Sequence, residues 1–371
     1  MNNILVGNGV NLQFSNREYL NNEIISRGVK KLNTGAFPEN IYPKEIHEFL
    51  KKIFLIIPGI IKNEYDALAI TSYEKKVLQL FKRRNKVILR TNSLCDIGIE
   101  DYLFAYTIFC RINKIENPDR YNIMKFLERF LIDSIYNDGK INKVYEEYPD
   151  GFINWINHFD TIFTTNYDSN LDTISKKNIY HLHGAFHILD EVYDKNSIRN
   201  QLELDDYDYF EGFDHLYSNA LLDFSGFGKE FMLKRSELAN SGIDKYAEAY
   251  SKGENQDVIA DIDSFKNNEN PTIRNLYKGI MLRINEPENK FEEYYHFSDF
   301  KNIKDELTIL GLSPNNDNHI FEAIQNNNSI KKIIYYYYDY EEAKNIEKIF
   351  KHKYIELIRV KEFWGQFQEV V

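Results

Sequence analysis

Cysteine is nearly missing from the 371-residue chain, which carries only Cys95 and Cys110. Two thiols exclude a disulfide framework and any four-cysteine zinc module. Proline is scarce too, 8 residues in all, so rigid linkers are few. Positive charge is in deficit: 46 Lys and Arg stand against 57 Asp and Glu, a formal charge of -11 with a pI near 5.4. A chain whose main task is to coat nucleic acid usually shows the opposite balance. Long hydrophobic runs are absent as well. The longest, Ile53 to Ile61, contains Pro58 and Gly59 and is bounded by Lys51, Lys52 and Lys62. It is about half of the ~20 residues a membrane helix needs. After Met1-Asn2-Asn3 only Ile4, Leu5 and Val6 precede Gly7, whereas a secretory leader needs a charged start and an apolar stretch of about 7–15 residues. A soluble protein of the reducing cytoplasm, with no membrane attachment, is expected.

What the chain does have is core material. It is 43% apolar and 28% charged, with 27 Tyr and 26 Phe, which suits an aromatic-rich core in one large domain or two ordinary ones. Short apolar strands alternate with helical blocks, the pattern of an α/β fold with a parallel sheet. The strand-like stretches are Asn3–Val6, Asp160–Thr165, Ile179–Leu182, Leu307–Leu312, Lys332–Tyr337 and Tyr354–Val360. Asn117-Pro118-Asp119 reads as a helix start, with Asn as cap and Pro at the first position. Behind it Ile123, Phe126, Leu127, Phe130, Leu131 and Ile135 recur at three and four residues, an amphipathic stripe. Residues 43–56, 64–84 and 100–113 also read as helices. Residues 188–300, acidic at first and then helical, read as an insertion. The expectation is a single domain over 1–371, its core in 1–14, 156–187 and 301–371, with helical insertions at 15–155 and 188–300.

Five polar segments lie at the ends of the expected strands. Val6-Gly7-Asn8-Gly9-Val10-Asn11 follows the first. Glycines at a strand-to-helix turn let the backbone approach a phosphate, although an ordinary tight turn reads the same way. Thr164-Thr165-Asn166-Tyr167-Asp168-Ser169 follows a buried strand. Polar side chains at the carboxyl end of a parallel strand sit where open α/β sheets bind ligands, and a helix cap accounts for Asp168 or Ser169 but not for Thr-Thr-Asn. In Tyr180-His181-Leu182-His183-Gly184, strand geometry would put both histidines on one side. No acidic or cysteine ligand accompanies them at a familiar zinc spacing, so no metal is expected and a general base, which needs only one histidine, is preferred, with a hydrogen-bonded core role as the alternative for His181. Leu310-Gly311-Leu312-Ser313-Pro314-Asn315-Asn316-Asp317, with His319 beyond, offers Gly311 for close approach and Ser313 for a phosphate or ribose oxygen. Tyr335 to Tyr338 ends in Asp339, an acid able to hold ribose hydroxyls, though tyrosines are also ordinary strand filler.

The order of these segments (glycine turn, Thr-x-Asn-x-Asp, His-Gly, Gly-x-Ser) resembles the sirtuin fold, and in particular the bacterial sirtuin-like, Sir2-type NAD-hydrolases of antiphage defence. The opening Ile4-Leu5-Val6-Gly7-Asn8-Gly9 is also similar to the AbiH abortive-infection family. The resemblance covers residues 4–12, 160–184 and 306–339. It implies a Rossmann-like parallel sheet of about six strands. It also implies Asn166 and His183 as the catalytic pair, and a cofactor-binding set of Gly7, Asn8, Gly9, Asn11, Thr165, Asp168, Gly311, Ser313 and Asp339. Asn8 and Asn11 stand where the family motif has a small residue and a Ser or Asp. Sirtuin deacylases carry a four-cysteine zinc module after His-Gly, and residues 188–300 hold no cysteine, so protein deacylation is not expected.

The residue types suit NAD cleavage, because nicotinamide leaves as an already cationic group and needs neither metal nor strong acid. The expectation is therefore an NAD+ glycohydrolase, an enzyme with NAD as substrate, that causes abortive infection by depleting NAD. The resemblance further implies a homo-oligomer, a phage protein trigger, and a partner such as a HerA-type ATPase. A non-catalytic NAD or ADP-ribose sensor and an AbiH-like defence protein are the alternative readings.

Overall fold

The computed structural model describes residues 2–34, 41, 45–86, 88–91, 93–117, 119–203, 209–224, 226–314 and 317–367. Six strands form one all-parallel sheet. They are β1 (Asn2–Val6), β2 (Thr161–Thr164), β3 (Ile179–His181), β4 (Asp305–Leu310), β5 (Ile330–Tyr337) and β6 (Tyr354–Arg359). Their spatial order is β3-β2-β1-β4-β5-β6, the order of a Rossmann-like doubly wound sheet. β1 is central, paired in register with β2 on one side (Leu5 opposite Phe163) and with β4 on the other (Leu5 opposite Ile309). Chain connections leave this pair in opposite directions, so a crevice opens at the carboxyl ends of β1 and β4, where such sheets bind ligands.

A parallel sheet covered on both faces needs strands that are apolar on both sides. β1 meets the need by alternation: Ile4 and Val6 join one buried cluster, and Leu5 joins the other. The first cluster is built with helices of the long segment between β1 and β2, including Glu45–Ile61, Ile99–Asn113 and Asp119–Tyr136. The stripe on Asp119–Tyr136 supplies Leu127, Phe130, Leu131 and Ile135 to it. The start of that helix falls partly outside the described residues, at Pro118. The second cluster packs Phe297, Phe300, Phe321 and Phe350 under β4 and β5. Helices Arg235–Lys252, Gln256–Ser264 and Pro271–Asn285 make a small cluster of their own around Ala247, Ile262 and Ile280. The segment between β3 and β4 is mostly helical, as expected, but residues 184–197 and 209–224 are largely irregular.

Aromatic side chains tie the C-terminus to this frame. Phe14, Tyr148, Phe152 and Trp364 meet in tilted and edge-to-face pairs, with centroids 5.0 Å apart for Phe14–Tyr148 and 5.3 Å for Phe152–Trp364, the arrangement ring quadrupoles prefer. Phe152 is fully buried and Leu55 is 74% exposed. Phe152→Ala is expected to cost about 3–5 kcal/mol and to lower the urea midpoint clearly. Leu55→Ala is expected to leave that midpoint nearly unchanged in the same measurement.

Candidate functional site

Two turns meet at the crevice, and their glycines are what let them touch. Gly7 N donates to Leu310 O (2.9 Å), Gly9 N to Gly311 O (2.8 Å), and Val10 N to Gly7 O (3.2 Å). A Cβ on Gly7 would lie 2.5 Å from Gly311 O, and one on Gly9 would lie 2.6 Å from Gly311 Cα. Gly311 itself has φ +74°, a left-handed conformation open to glycine. The sequence reading gave these glycines to a phosphate. Their first task is to let two backbones cross. Gly9 and Gly311 still line the cleft, whereas Gly7 is buried beneath it and does not.

The cleft above this crossing has a volume of about 820 Å³. The structure brings Asn8, Gly9, Asn11, Thr165, Asn166, Asp168, His183, Gly311 and Ser313 to its wall. Asp339 is not among the cleft residues. It is exposed and caps the helix Tyr340–Ile349, its Oδ1 accepting from Glu342 N at 2.9 Å. Of the tyrosines before it, Tyr335 is buried and donates to Leu312 O, Tyr336 packs on Trp155 and Phe363, and Tyr336 and the exposed Tyr338 also line the cleft. The middle of the fourth segment, Asn315-Asn316, lies outside the described residues.

Not every wall residue has a free polar group. Asn11 Nδ2 donates to Asp168 Oδ2 (2.6 Å), and Asn11 Oδ1 accepts from Tyr148 (3.2 Å) and Asn170 (3.3 Å). Asp168 Oδ1 accepts from Asn170 N at 3.0 Å, just ahead of the short helix Asn170–Ile174. Burial raises the Asp168 pKa against the pull of those hydrogen bonds. Asn11 and Asp168 therefore latch the first turn to the second, while both remain at the wall of the cleft. Asn8 is exposed, with Nδ2 donating to Tyr19 O.

Asn166 is different. Its backbone is pinned from both sides: N donates to Thr164 Oγ1 (3.0 Å), and O faces His181 Nδ1 (3.1 Å). Its side chain is 7% exposed, and Oδ1 has no hydrogen-bond partner among the described residues. An orphaned buried acceptor costs about 1–3 kcal/mol, and the residue that carries it lines the cleft.

His183 and His181 do not share a side. β3 ends at His181, and Gly184 turns the chain with φ +73°. His181 faces Asn166 O and Asp172, while His183 Nε2 lies 2.9 Å from His319 Nε2. Asp317 Oδ1 is 3.9 Å from His183 Nδ1 and 4.0 Å from Lys229 Nζ, and Lys229 is paired with Glu100. Burial first, then Lys229, then His319 hold the His183 pKa well below 6.5. Burial and Lys229 put His319 at about 3. Two neutral imidazoles 2.9 Å apart share one hydrogen, one nitrogen donating and the other accepting. Burial lifts Asp317 to about 6. Burial pulls Lys229 down, but Glu100, Tyr167 and Asp317 outweigh it and hold its pKa above the ordinary value.

Sequence reasoning missed His319 as a partner, and it missed Asp317, Lys229 and Glu100 altogether. His319 lies six residues past Ser313 on the next helix, a signal within reach. Lys229 and Glu100 come from helices Gly226–Leu233 and Ile99–Asn113 of the two long inter-strand segments, where a charge reads as solvent-facing. Comparison with protein-family models, with curated proteins and with solved structures gives no match.

Gly9→Ala is expected to cost well over ~1 kcal/mol, because backbone atoms cannot yield to the new Cβ. Gly242 lies within the helix Arg235–Lys252 with nothing within 4 Å of its would-be Cβ. Gly242→Ala is expected to stabilise the fold by up to ~1 kcal/mol through helix propensity and so to raise the melting temperature. Equal effects of the two changes in thermal unfolding would refute the tight crossing.

Proposed function

We propose that this chain is an NAD+ hydrolase that cleaves NAD to nicotinamide and ADP-ribose and acts in antiphage defence by depleting NAD. The observation that carries the reading is the buried, uncommitted Oδ1 of Asn166 in the same cleft as the neutral His183. That cleft opens beside the glycine crossing, at the point where the strand order reverses. Its volume of about 820 Å³ lies within the usual ~300–1,000 Å³ range of small-molecule sites. Among the described residues, no helix is long and apolar enough to cross a membrane.

In this reading the C1′–N bond breaks and its electron pair returns to the nicotinamide ring, discharging the pyridinium. Asn166 Oδ1 accepts a hydrogen bond from the attacking water and aims its oxygen at C1′. His183 takes the proton as the new C–O bond forms, a role worth about 10²–10⁴ in rate. Thr165 and Ser313, both half-buried at the wall, supply hydroxyls for the ribose and phosphates. An enzyme that destroys NAD must be latent, so the reading includes control by self-assembly, by a phage protein, or by a partner such as a HerA-type ATPase.

The test is to incubate the purified full chain with NAD, alone and with candidate triggers, and to measure free nicotinamide. His183→Ala and Asn166→Ala are each expected to slow release at least ~10²-fold, and the double variant little further, since residues acting as a unit are not additive. A folded His183→Ala protein that consumes NAD at the parent rate sinks the assignment. NAD binding without consumption by the parent favours the sensor reading instead.

The pH profile is a second check. A base must be unprotonated, and activity is lost as pH falls through its pKa. Because the His183 pKa is held well below 6.5, kcat/KM is expected to stay flat from about pH 8 down to the ordinary imidazole value. A decline centred at or above 6.5 contradicts the burial of this base.

A further inference from the structure

Behind the Asn166 segment, on the other side of its backbone carbonyl, lies a second cluster that the proposed chemistry does not use: Asp172, His181 and His187. Asp172 comes from the short helix Asn170–Ile174, His181 from the end of β3, and His187 from the loop after Gly184. We infer that these three side chains bind a divalent transition ion of the zinc class, with the fourth position facing solvent.

The hydrogen bonds argue for a cation between them. His181 Nδ1 faces the Asn166 carbonyl at 3.1 Å, so Nδ1 carries the hydrogen and Nε2 presents its lone pair. That lone pair points at Asp172 Oδ2, 3.1 Å away. Two acceptors at this range repel unless a proton or a metal ion sits between them. His187 discriminates, because its Nε2 lies 3.6 Å from Asp172 Oδ1, too far for a hydrogen bond. The two imidazoles thus face the two different oxygens of one carboxylate, at 3.1 and 3.6 Å, an arrangement in which a zinc-class ion is held by both histidines and by the Asp172 carboxylate. All three ligand atoms lie within 4.8 Å of one another.

The surroundings fit the same ion. A metal-bound histidine usually gives its other N–H to a carbonyl or carboxylate, which fixes the tautomer and the ring, and Asn166 O does this for His181. Two imidazoles and one carboxylate are a zinc-type donor set. His187 is exposed and Asp172 half-buried, so an ion and a coordinating water have access. Through His181 the ion would brace the backbone that presents Asn166. It is a positioning site, separate from the cleft and independent of the NAD assignment.

The test is metal titration of the full chain after chelator treatment and desalting. Zinc chloride is expected to bind at one equivalent with a dissociation constant in the micromolar range or below. Cobalt chloride is expected to give the visible absorption of tetrahedral cobalt. His187→Ala and Asp172→Asn are each expected to weaken binding at least ~10-fold, the smallest loss seen even for outer partners, and to abolish the cobalt band. Because His187 is exposed, His187→Gln serves as a second variant with the native far-UV spectrum. His319→Ala is the control, since His319 belongs to the other cluster, His183–Asp317–His319. The inference fails if the parent binds no zinc at micromolar concentration. It also fails if both ligand variants bind like the parent, or if only His319→Ala loses the ion. None of these outcomes touches nicotinamide release, so the two proposals stand or fall separately.

Discussion

The contact on which the rest of the molecule depends is the crossing of the turn after β1 over the turn after β4. Gly9 N donates to Gly311 O at 2.8 Å, with Gly7 and Gly311 pressed together beside it. Every other feature of the cleft is measured from this point. The crossing fixes the height of the helix Gly9–Phe14, whose Asn11 reaches over to Asp168 at 2.6 Å. That bond draws in the segment after β2 and so sets where Asn166 stands. A side chain at either glycine would part the two turns and move the second segment with the first. Strand order makes the crevice, but glycine makes it narrow enough for one ligand to touch both walls.

The electrostatics of the cleft follow from burial rather than from formal charge. The chain as a whole is acidic, yet the paired histidines feel the cation Lys229, only 3% exposed and held by Glu100 and Asp317. A fixed buried cation beside two imidazoles keeps both neutral, because a second positive charge in a low-dielectric space is costly. A neutral histidine is the form that can accept a proton. The helices between the strands thus do more than cover the sheet: they bury both histidines and add a cation that acts in the same direction.

Much of this was legible in the sequence, and the failures have physical causes. The strands after β3 were recognisable from their apolar runs, but β4 starts at Asp305 rather than Leu307. It is preceded by polar residues and begins with a bulge and a left-handed Asp305, features that hide a strand from an apolar count. The glycine and Asn166 segments were found because strand-end polarity is a local signal. Asp339 caps a helix away from the cleft wall, and an acid at a strand end and a helix cap look the same without the third dimension. His181 and His183 were wrongly placed on one side because strand alternation was carried one residue past the point where β3 stops. Lys229, Glu100 and the partner of His181 were not readable at all. Their meaning depends on contacts across 129 residues for Lys229–Glu100 and on a helix cap segment for Asp172.

Asn166 shows how the fold sustains an unfavourable atom. A free loop would rotate to give its amide oxygen a partner, since leaving it buried and unpaired costs about 1–3 kcal/mol. Here the rotation is blocked from three directions. Thr164 Oγ1 holds its N–H and is itself anchored to Val6 O at 3.1 Å. His181 holds its carbonyl. Two residues on, Asp168 is bound to both Asn11 and Asn170. With the backbone fixed on each side, the side chain points where the sheet directs it. The neighbouring amides of Asn11 and Asn170 are all satisfied, so Asn166 Oδ1 stands out in this wall as the buried acceptor without a partner among the described residues.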